Sequence, residues 1–271
     1  MNNFKYTQQR DAKPLRQTSL CISWRRGKAV EIPNNKLITI TMSSSPEPPF
    51  LPLILAGGRA TRMGCPKHLL STPNGKHLYE NQIEVIREAF PGITEIYISL
   101  AQDSQLDDLL QMACSENGCL LEGNPRVRLK VIFDEERNLT NESAGPASGI
   151  LAAANLRPNT TWLVVACDFP FLTADALRQL VSHYEQPVTC FRNLKGYCEP
   201  LLGLWSPQAL GYLADNHKKG VLSPSRVVDK LGGPMLLPTR DPQWTLFNVN
   251  SRADWTATMK AFSFGQDNSS I

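Results

Sequence analysis

The chain has 271 residues, 42% of them hydrophobic and 20% charged, with 28 basic and 25 acidic side chains leaving a formal charge of +3. That composition belongs to an ordinary globular protein able to bury a sizeable core, excludes fibrous and low-complexity classes, and is too evenly charged for nucleic acid to be the main partner. Seven cysteines, an odd number without a Cys-x-x-Cys pair, argue against a secreted disulfide framework or a zinc site and for a reducing, cytoplasmic setting.

No run approaches the ~18 apolar residues that span a bilayer, so no membrane partner is expected. Residues 1–41 are basic (Arg10, Lys13, Arg16, Arg25, Arg26, Lys28) and poor in acids. They are read as a disordered or mis-started extension in preference to an organelle transit peptide, with Met42 as a normal start. The expected organisation is an extension over 1–49, a catalytic domain over 50–262 and a tail over 263–271.

From Phe50 the pattern changes. Leu51 to Leu55 is an apolar run ending at Ala56-Gly57-Gly58, the form of a buried parallel strand that empties into a phosphate loop. Ile83, Ile86, Ala89 and Phe90 fall at helical spacing within Leu78 to Phe90, Pro91-Gly92 stops that helix, and Glu95 to Leu100 reads as a strand. The alternation continues with a helix from Asp103 to Cys114, a strand at Leu129 to Phe133, a helix at Ala147 to Leu156 and a strand at Trp162 to Ala166. A parallel sheet covered by helices follows. A further helix starts after Thr173 as N-cap, and strands at Val188 to Arg192 and Pro200 to Trp205 add a mixed or antiparallel edge.

Between Leu55 and Lys67 the segment Leu-Ala-Gly-Gly-Arg-Ala-Thr-Arg-Met-Gly-Cys-Pro-Lys combines glycines for close backbone approach, exposed amides and three cations. Triphosphate binding needs those together: turn amides form an anion nest, while Arg62 and Lys67 neutralise charge on the α-phosphate and on departing pyrophosphate. Neither a Walker loop nor a Gly-x-Gly-x-x-Gly fingerprint is present, which removes those two nucleotide-binding classes. The rival reading is a glycine turn followed by a solvated basic loop.

A second cluster is Val164-Val165-Ala166-Cys167-Asp168-Phe169-Pro170, where an apolar strand ends in an acid at the carboxyl edge of the sheet. Asp168 is the best magnesium ligand, since Mg²⁺ takes one or two carboxylates and completes its shell with water and phosphate oxygens; capping the next turn is the plainer alternative. Cys167 is read as a packing residue, there being no partnered histidine. Gly145-Pro146-Ala147-Ser148-Gly149 suits either backbone approach to a flat base or helix-on-sheet packing. Asp134 is placed to meet ribose or base, or is a turn residue. Asn250, in Phe247-Asn248-Val249-Asn250-Ser251, is a candidate to share the metal with Asp168, and Ser251 a cap for a last helix. Glu199-Pro200 and Ser225-Arg226 read as solvated surface before acceptor contacts, and His68, His77, His183 and His217 lack metal-ligand spacing.

These motifs, in this order and spacing over residues 51–260, resemble those of the MobA-like nucleotidyltransferases. The resemblance rests on Leu55 to Lys67, Gly145 to Gly149, Cys167 to Pro170 and Asn248 to Ser251. It implies a Rossmann-like fold and magnesium-dependent transfer of GMP from GTP to a molybdopterin phosphate. Leu55, Ala56, Gly57, Gly58, Gly145 and Lys67 would hold the nucleotide, Asp134 would lie near the guanosine, and Asp168 would hold Mg²⁺. Arg62, Lys67 and Asp168 are the catalytic set, in a monomer or weak homo-oligomer. Two departures from the family pattern are Ser99-Leu100-Ala101, where bacterial members often carry asparagine, and Pro66 before the lysine. Cytidylyl transfer to a sugar or isoprenoid phosphate, or a silent nucleotide-binding protein, are the alternatives.

Overall fold

A computed structural model of the chain describes residues 49–57, 64–123, 126–134 and 145–267, without the side chains of residues 263–267. Gly58 and Arg62, and the extension ahead of residue 49, lie outside the described residues. In chain order the elements are β1 (Leu51–Leu55), a 3-10 turn (Lys67–Leu69), α1 (Leu78–Ala89), β2 (Glu95–Leu100), α2 (Asp108–Ala113), β3 (Cys119–Leu121), β4 (Val127–Phe133), α3 (Pro146–Leu156) and β5 (Trp162–Ala166). Then come α4 (Ala174–Ser182), β6 (Val188–Arg192), β7 (Cys198–Trp205), α5 (Pro207–Lys218), α6 (Pro224–Leu231), β8 (Met235–Leu236), α7 (Pro242–Thr245) and α8 (Arg252–Asp267).

The eight strands form one sheet in the order β3-β4-β2-β1-β5-β7-β6-β8. β4, β2, β1 and β5 run parallel, as expected for a βαβ succession. β7 joins β5 antiparallel and β6 joins β7 antiparallel, which gives the mixed edge; β3 adds an antiparallel strand at the opposite edge, unforeseen because it is only three residues long.

Alternation along the central strands builds two cores, one per face. Ile54, Leu163 and Val165 pack with α1, α2 and α4. Leu53, Leu55, Trp162 and Val164 pack on the other face with α3, α5 and α6. Being buried on both faces, β1 and β5 have no polar residue to spare, which is why they read as unbroken apolar runs.

Several expected boundaries shift for local reasons. The helix expected from Asp103 begins at Asp108, because the Asp107 carboxylate accepts from Leu110 N at 2.9 Å and fixes the N-cap there. β4 begins at Val127 and β7 at Cys198, each pulled in by its partner strand. α8 continues to Asp267.

Candidate active site

Brought together at the carboxyl edge of the parallel strands are the motifs that the sequence scatters over two hundred residues. The strand order reverses between β1 and β5: β2 lies on one side of β1 and β5 on the other, and such a switch point leaves a crevice above the strand ends. Cys167 N donates to Leu55 O at 3.0 Å, so the segment leading to Asp168 leaves the sheet level with the glycine loop.

The amides of Ala56 and Gly57 both donate to Ser99 O at 2.9 Å. They tie the start of the loop to β2, so the exposed amides expected at these two residues are already engaged. A Cβ on Gly57 would come within 3.1 Å of both Ala101 N and Asp134 Oδ2, so glycine is what lets the loop pass this close to the end of β4. Asp134 is thereby placed beside Gly57, and Ser99 Oγ donates to its Oδ1. Gly149, near the start of α3, packs against Leu55 and Ser99: a Cβ there would collide with Ser99 Oγ and lie 3.0 Å from Leu55 Cδ2. Of the two readings of Gly145 to Gly149, helix-on-sheet packing holds for Gly149. Gly145 is the N-cap of α3 with φ 70°, a conformation that glycine adopts freely, and Pro146 follows at the first helical position.

Lys67 opens the 3-10 turn, with Pro66 as its N-cap. Its ammonium lies 3.1 Å from Asp168 Oδ2 and 2.9 Å from Asn250 Oδ1, bridging residues from three separate motifs. The pair is only partly shielded, with 27% of the Lys67 and 21% of the Asp168 side chain exposed, so ligands can reach it. Three further bonds hold this arrangement. Asp168 O accepts from Val249 N at 2.9 Å, Asn250 Nδ2 donates to Asn248 Oδ1 at 2.9 Å, and the buried Gln82 of α1 donates to Phe169 O at 2.8 Å. Val249 is fully buried between Leu70 and Leu78, which anchors the last motif to the element carrying Lys67.

Asn250 and Ser251 are oriented by α8. Ser251 Oγ accepts from Asp254 N at 3.2 Å, while Asp254 Oδ2 accepts from Ser251 N at 2.7 Å and Asn250 N at 2.9 Å. This is a capping box, with the expected Ser251 cap. The bond from the Ser251 hydroxyl comes first in holding the Asp254 carboxyl below the usual aspartate range.

Burial drives the Cys167 thiol far above the ordinary range, so it is no nucleophile, in keeping with a packing role. His68 is buried and lies 2.9 Å from Gln105 O; desolvation lowers its pKa, and its role is structural. Arg226 of α6 lines a groove with Tyr212, Asn216 and Asp229, a set that includes none of Lys67, Asp168 and Asn250. The sequence reading missed Arg252, whose guanidinium a side chain at Gly64 would meet at 3.3 Å. Its position just after Asn250-Ser251 was the available signal. Missed too was Ser99 as the residue that joins the loop to Asp134.

The family model described as a MobA-like NTP transferase domain matches residues 52–232. The chain belongs to this family. It is a nucleotidyltransferase of the MobA-like type, with the Rossmann-like fold expected. A molybdenum cofactor biosynthesis bifunctional protein of Synechocystis sp. is 27% identical over 232 residues, or 83% of this chain; the chain spans 58% of that relative's length. A molybdenum cofactor guanylyltransferase of Pseudomonas syringae is 28% identical over 211 residues, covering 76% of this chain and 92% of that protein. Among solved structures, molybdopterin-guanine dinucleotide biosynthesis protein A of Archaeoglobus fulgidus matches with a TM-score of 0.55 at 19% identity, covering 79% of this chain and 99% of that one. A 2-C-methyl-D-erythritol 4-phosphate cytidylyltransferase of Thermus thermophilus matches with a TM-score of 0.51 at 12% identity, covering 78% and 98%. At such identities these structures speak for the fold alone. Among the described residues no helix is long and apolar enough to cross a membrane.

Proposed function

We propose that this MobA-like chain transfers GMP from GTP to the phosphate of a molybdopterin acceptor and releases pyrophosphate. The observation that carries the reading is the meeting of Lys67, Asp168 and Asn250 at the β1/β5 switch point, where one ammonium sits between a carboxylate and an amide oxygen. The names of the two curated relatives supply the guanylyl and molybdenum-cofactor part.

In this reading the loop from Leu55 through Gly58, with Lys67 and Gly145, holds the triphosphate. Asp134, a pure acceptor when ionised, takes hydrogen bonds from the guanosine, whose base edge and ribose both present donors. The acceptor phosphate oxygen attacks the α-phosphorus in line; the new P–O bond forms as the α–β bridge breaks, and the electron pair leaves with pyrophosphate. No protein nucleophile is needed, because such transfers are mostly positioning and charge stabilisation. Lys67, and Arg62 from the loop outside the described residues, meet the charge that develops.

Asp168 Oδ2 and Asn250 Oδ1 converge on a single cation, and two hard oxygens completed by phosphate and water suit Mg²⁺. When bound there, Mg²⁺ would supply neutralising charge to the phosphates.

Lys67→Ala and Asp168→Ala should each lower pyrophosphate release by about a hundredfold or more while the far-UV spectrum stays native. Full turnover in both variants would overturn the assignment. A strong preference for CTP over GTP in the wild-type chain would move it to a cytidylyl transfer.

A further inference from the structure

The last motif brings a second cation to the site besides Lys67. Arg252 follows Asn250-Ser251 and is the first residue of α8, exposed to solvent. Its guanidinium reaches back to the glycine-rich segment: a Cβ on Gly64, three residues ahead of Lys67, would lie 3.3 Å from one of its terminal nitrogens. Gly64 has φ 72° and no side chain, so the end of the loop is left bare where the guanidinium crosses it.

Arg252 stands on a firmly held piece of backbone. Asp254 Oδ2 accepts from Asn250 N and Ser251 N, and Trp255 N donates to Ser251 O at 3.0 Å. Thr256 Oγ1 donates to Arg252 O at 3.0 Å, and the Trp255 ring packs on the cluster of Leu70, Leu78 and Val249. The cap amides are thus already engaged by Asp254, and what the start of α8 offers an anion is the Arg252 side chain.

Helix electrostatics alone would not place an arginine there. The first turn of a helix carries partial positive charge and favours acids, as Asp254 illustrates, so a cation at its first position works against the helix by a small amount. Lys67, for its part, already faces the Asp168 carboxylate and the Asn250 oxygen, which offsets much of its charge before any ligand arrives. A triphosphate carries several negative charges, and a planar guanidinium with paired N–H donors suits phosphate oxygens better than a point charge does.

The geometry also says which phosphates. The α-phosphorus has to lie where nucleotide and acceptor meet, at Lys67, Asp168 and Asn250. In-line attack then sends the leaving group away from the acceptor, off the strand ends and along the loop, which is where Gly64 and Arg252 lie against each other. Resting on the nucleotidyl-transfer reading above, we propose that Arg252 is a leaving-group residue: its guanidinium binds the β- and γ-phosphates across Gly64 and holds pyrophosphate as it departs. The α–β bridge breaks, its electron pair stays on pyrophosphate, and the guanidinium, charged throughout, meets that charge without giving up a proton.

The test is calorimetric titration of the full chain, with Mg²⁺ present, by inorganic pyrophosphate, GTP and GMP. Arg252→Gln should weaken pyrophosphate and GTP by about tenfold or more, the loss of a charge-assisted contact, while GMP stays within about twofold of wild type and shows that the site is folded. Arg252→Lys, which keeps the charge and loses the fork, should fall between, at about threefold for pyrophosphate and none for GMP. With GTP saturating, Arg252→Gln should also release pyrophosphate more slowly. Unchanged pyrophosphate affinity in Arg252→Gln overturns the proposal. An equal loss for GMP overturns it too, by making Arg252 a residue that only shapes the loop. Inorganic pyrophosphate carries neither base nor acceptor, so failure of the underlying reading looks different: the wild-type chain would release no pyrophosphate from any triphosphate and would not bind it, which takes the Arg252 proposal with it.

Discussion

Glu199 and Gly149 show how far single residues report on the site. Burial raises the Glu199 carboxyl in the folded chain, so its ionised form is less favourable folded than unfolded. The penalty is absent while the group is protonated, and it grows as pH rises through the unfolded carboxylate range. Glu199→Gln, which keeps the shape and the Asn193 partner, should therefore raise the melting temperature at neutral pH by on the order of 2 °C and have no such effect near pH 4. A lower melting temperature at pH 7 would mean that the carboxylate stabilises the fold. Gly149→Ala works in the opposite sense, because its Cβ would collide with Ser99 Oγ and press on Leu55. A cost of about 1–3 kcal/mol is expected from chemical denaturation. Ser99→Ala in the same chain should return part of it by removing the hydroxyl, and strict additivity of the two changes would contradict the contact.

At the level of elements, α8 exists in this place because Asp254 caps it and, through the amides of Asn250 and Ser251, holds the last motif against Lys67. The depressed Asp254 carboxyl contributes stability that is present above the ordinary aspartate range and is lost as pH falls through its lower folded value. Asp254→Ala should cost about 1 kcal/mol at pH 7 and flatten the acid limb of the stability curve below about pH 4. It should also lower turnover through Asn250. An unaltered acid limb would remove Asp254 from that role. Elements were legible in proportion to how local their causes are. Leu51–Leu55, Glu95–Leu100, Trp162–Ala166 and Val188–Arg192 lie where their apolar runs predict, since a strand buried on both faces leaves an unbroken signature. α5 and α6 were unread: Ser206-Pro207 and Ser223-Pro224 mark their starts, but each buries only a short apolar set, Ala209, Leu210 and Leu213 in α5 and Pro224, Val227 and Val228 in α6, too brief for a long periodic stripe. Lys67, Asp168 and Asn250 were each legible within a motif. Their mutual contact was not, because it depends on how three distant segments return to one sheet edge.

Across the whole molecule, the strand order divides the carboxyl edge into two territories. One, over β1, β2 and β4, is closed by Ser99, Gly57 and Asp134; the other, over β5, β7 and β6, carries Glu199 and the turn between β6 and β7. Lys67 and Asp168 stand on the boundary, and the Asn248–Ser251 segment is stapled to it by Val249. A nucleotide that fills the first territory would tie the glycine loop, the Lys67 turn and α8 together, and anything that binds only the folded state raises its stability by mass action. Magnesium and GTP at about a hundred times the dissociation constant should add ~2.7 kcal/mol, or a melting-temperature rise of ~5–10 °C for a domain of this size. CTP and UTP should give much smaller shifts if Asp134 reads guanosine donors. Asp168→Ala should lose most of the GTP shift, whereas Glu199→Gln should keep it, because its territory is the other one. Scanning calorimetry with the four triphosphates decides the matter: equal shifts for all four would remove base selection from Asp134, and a GTP shift abolished by Glu199→Gln would erase the boundary between the two territories.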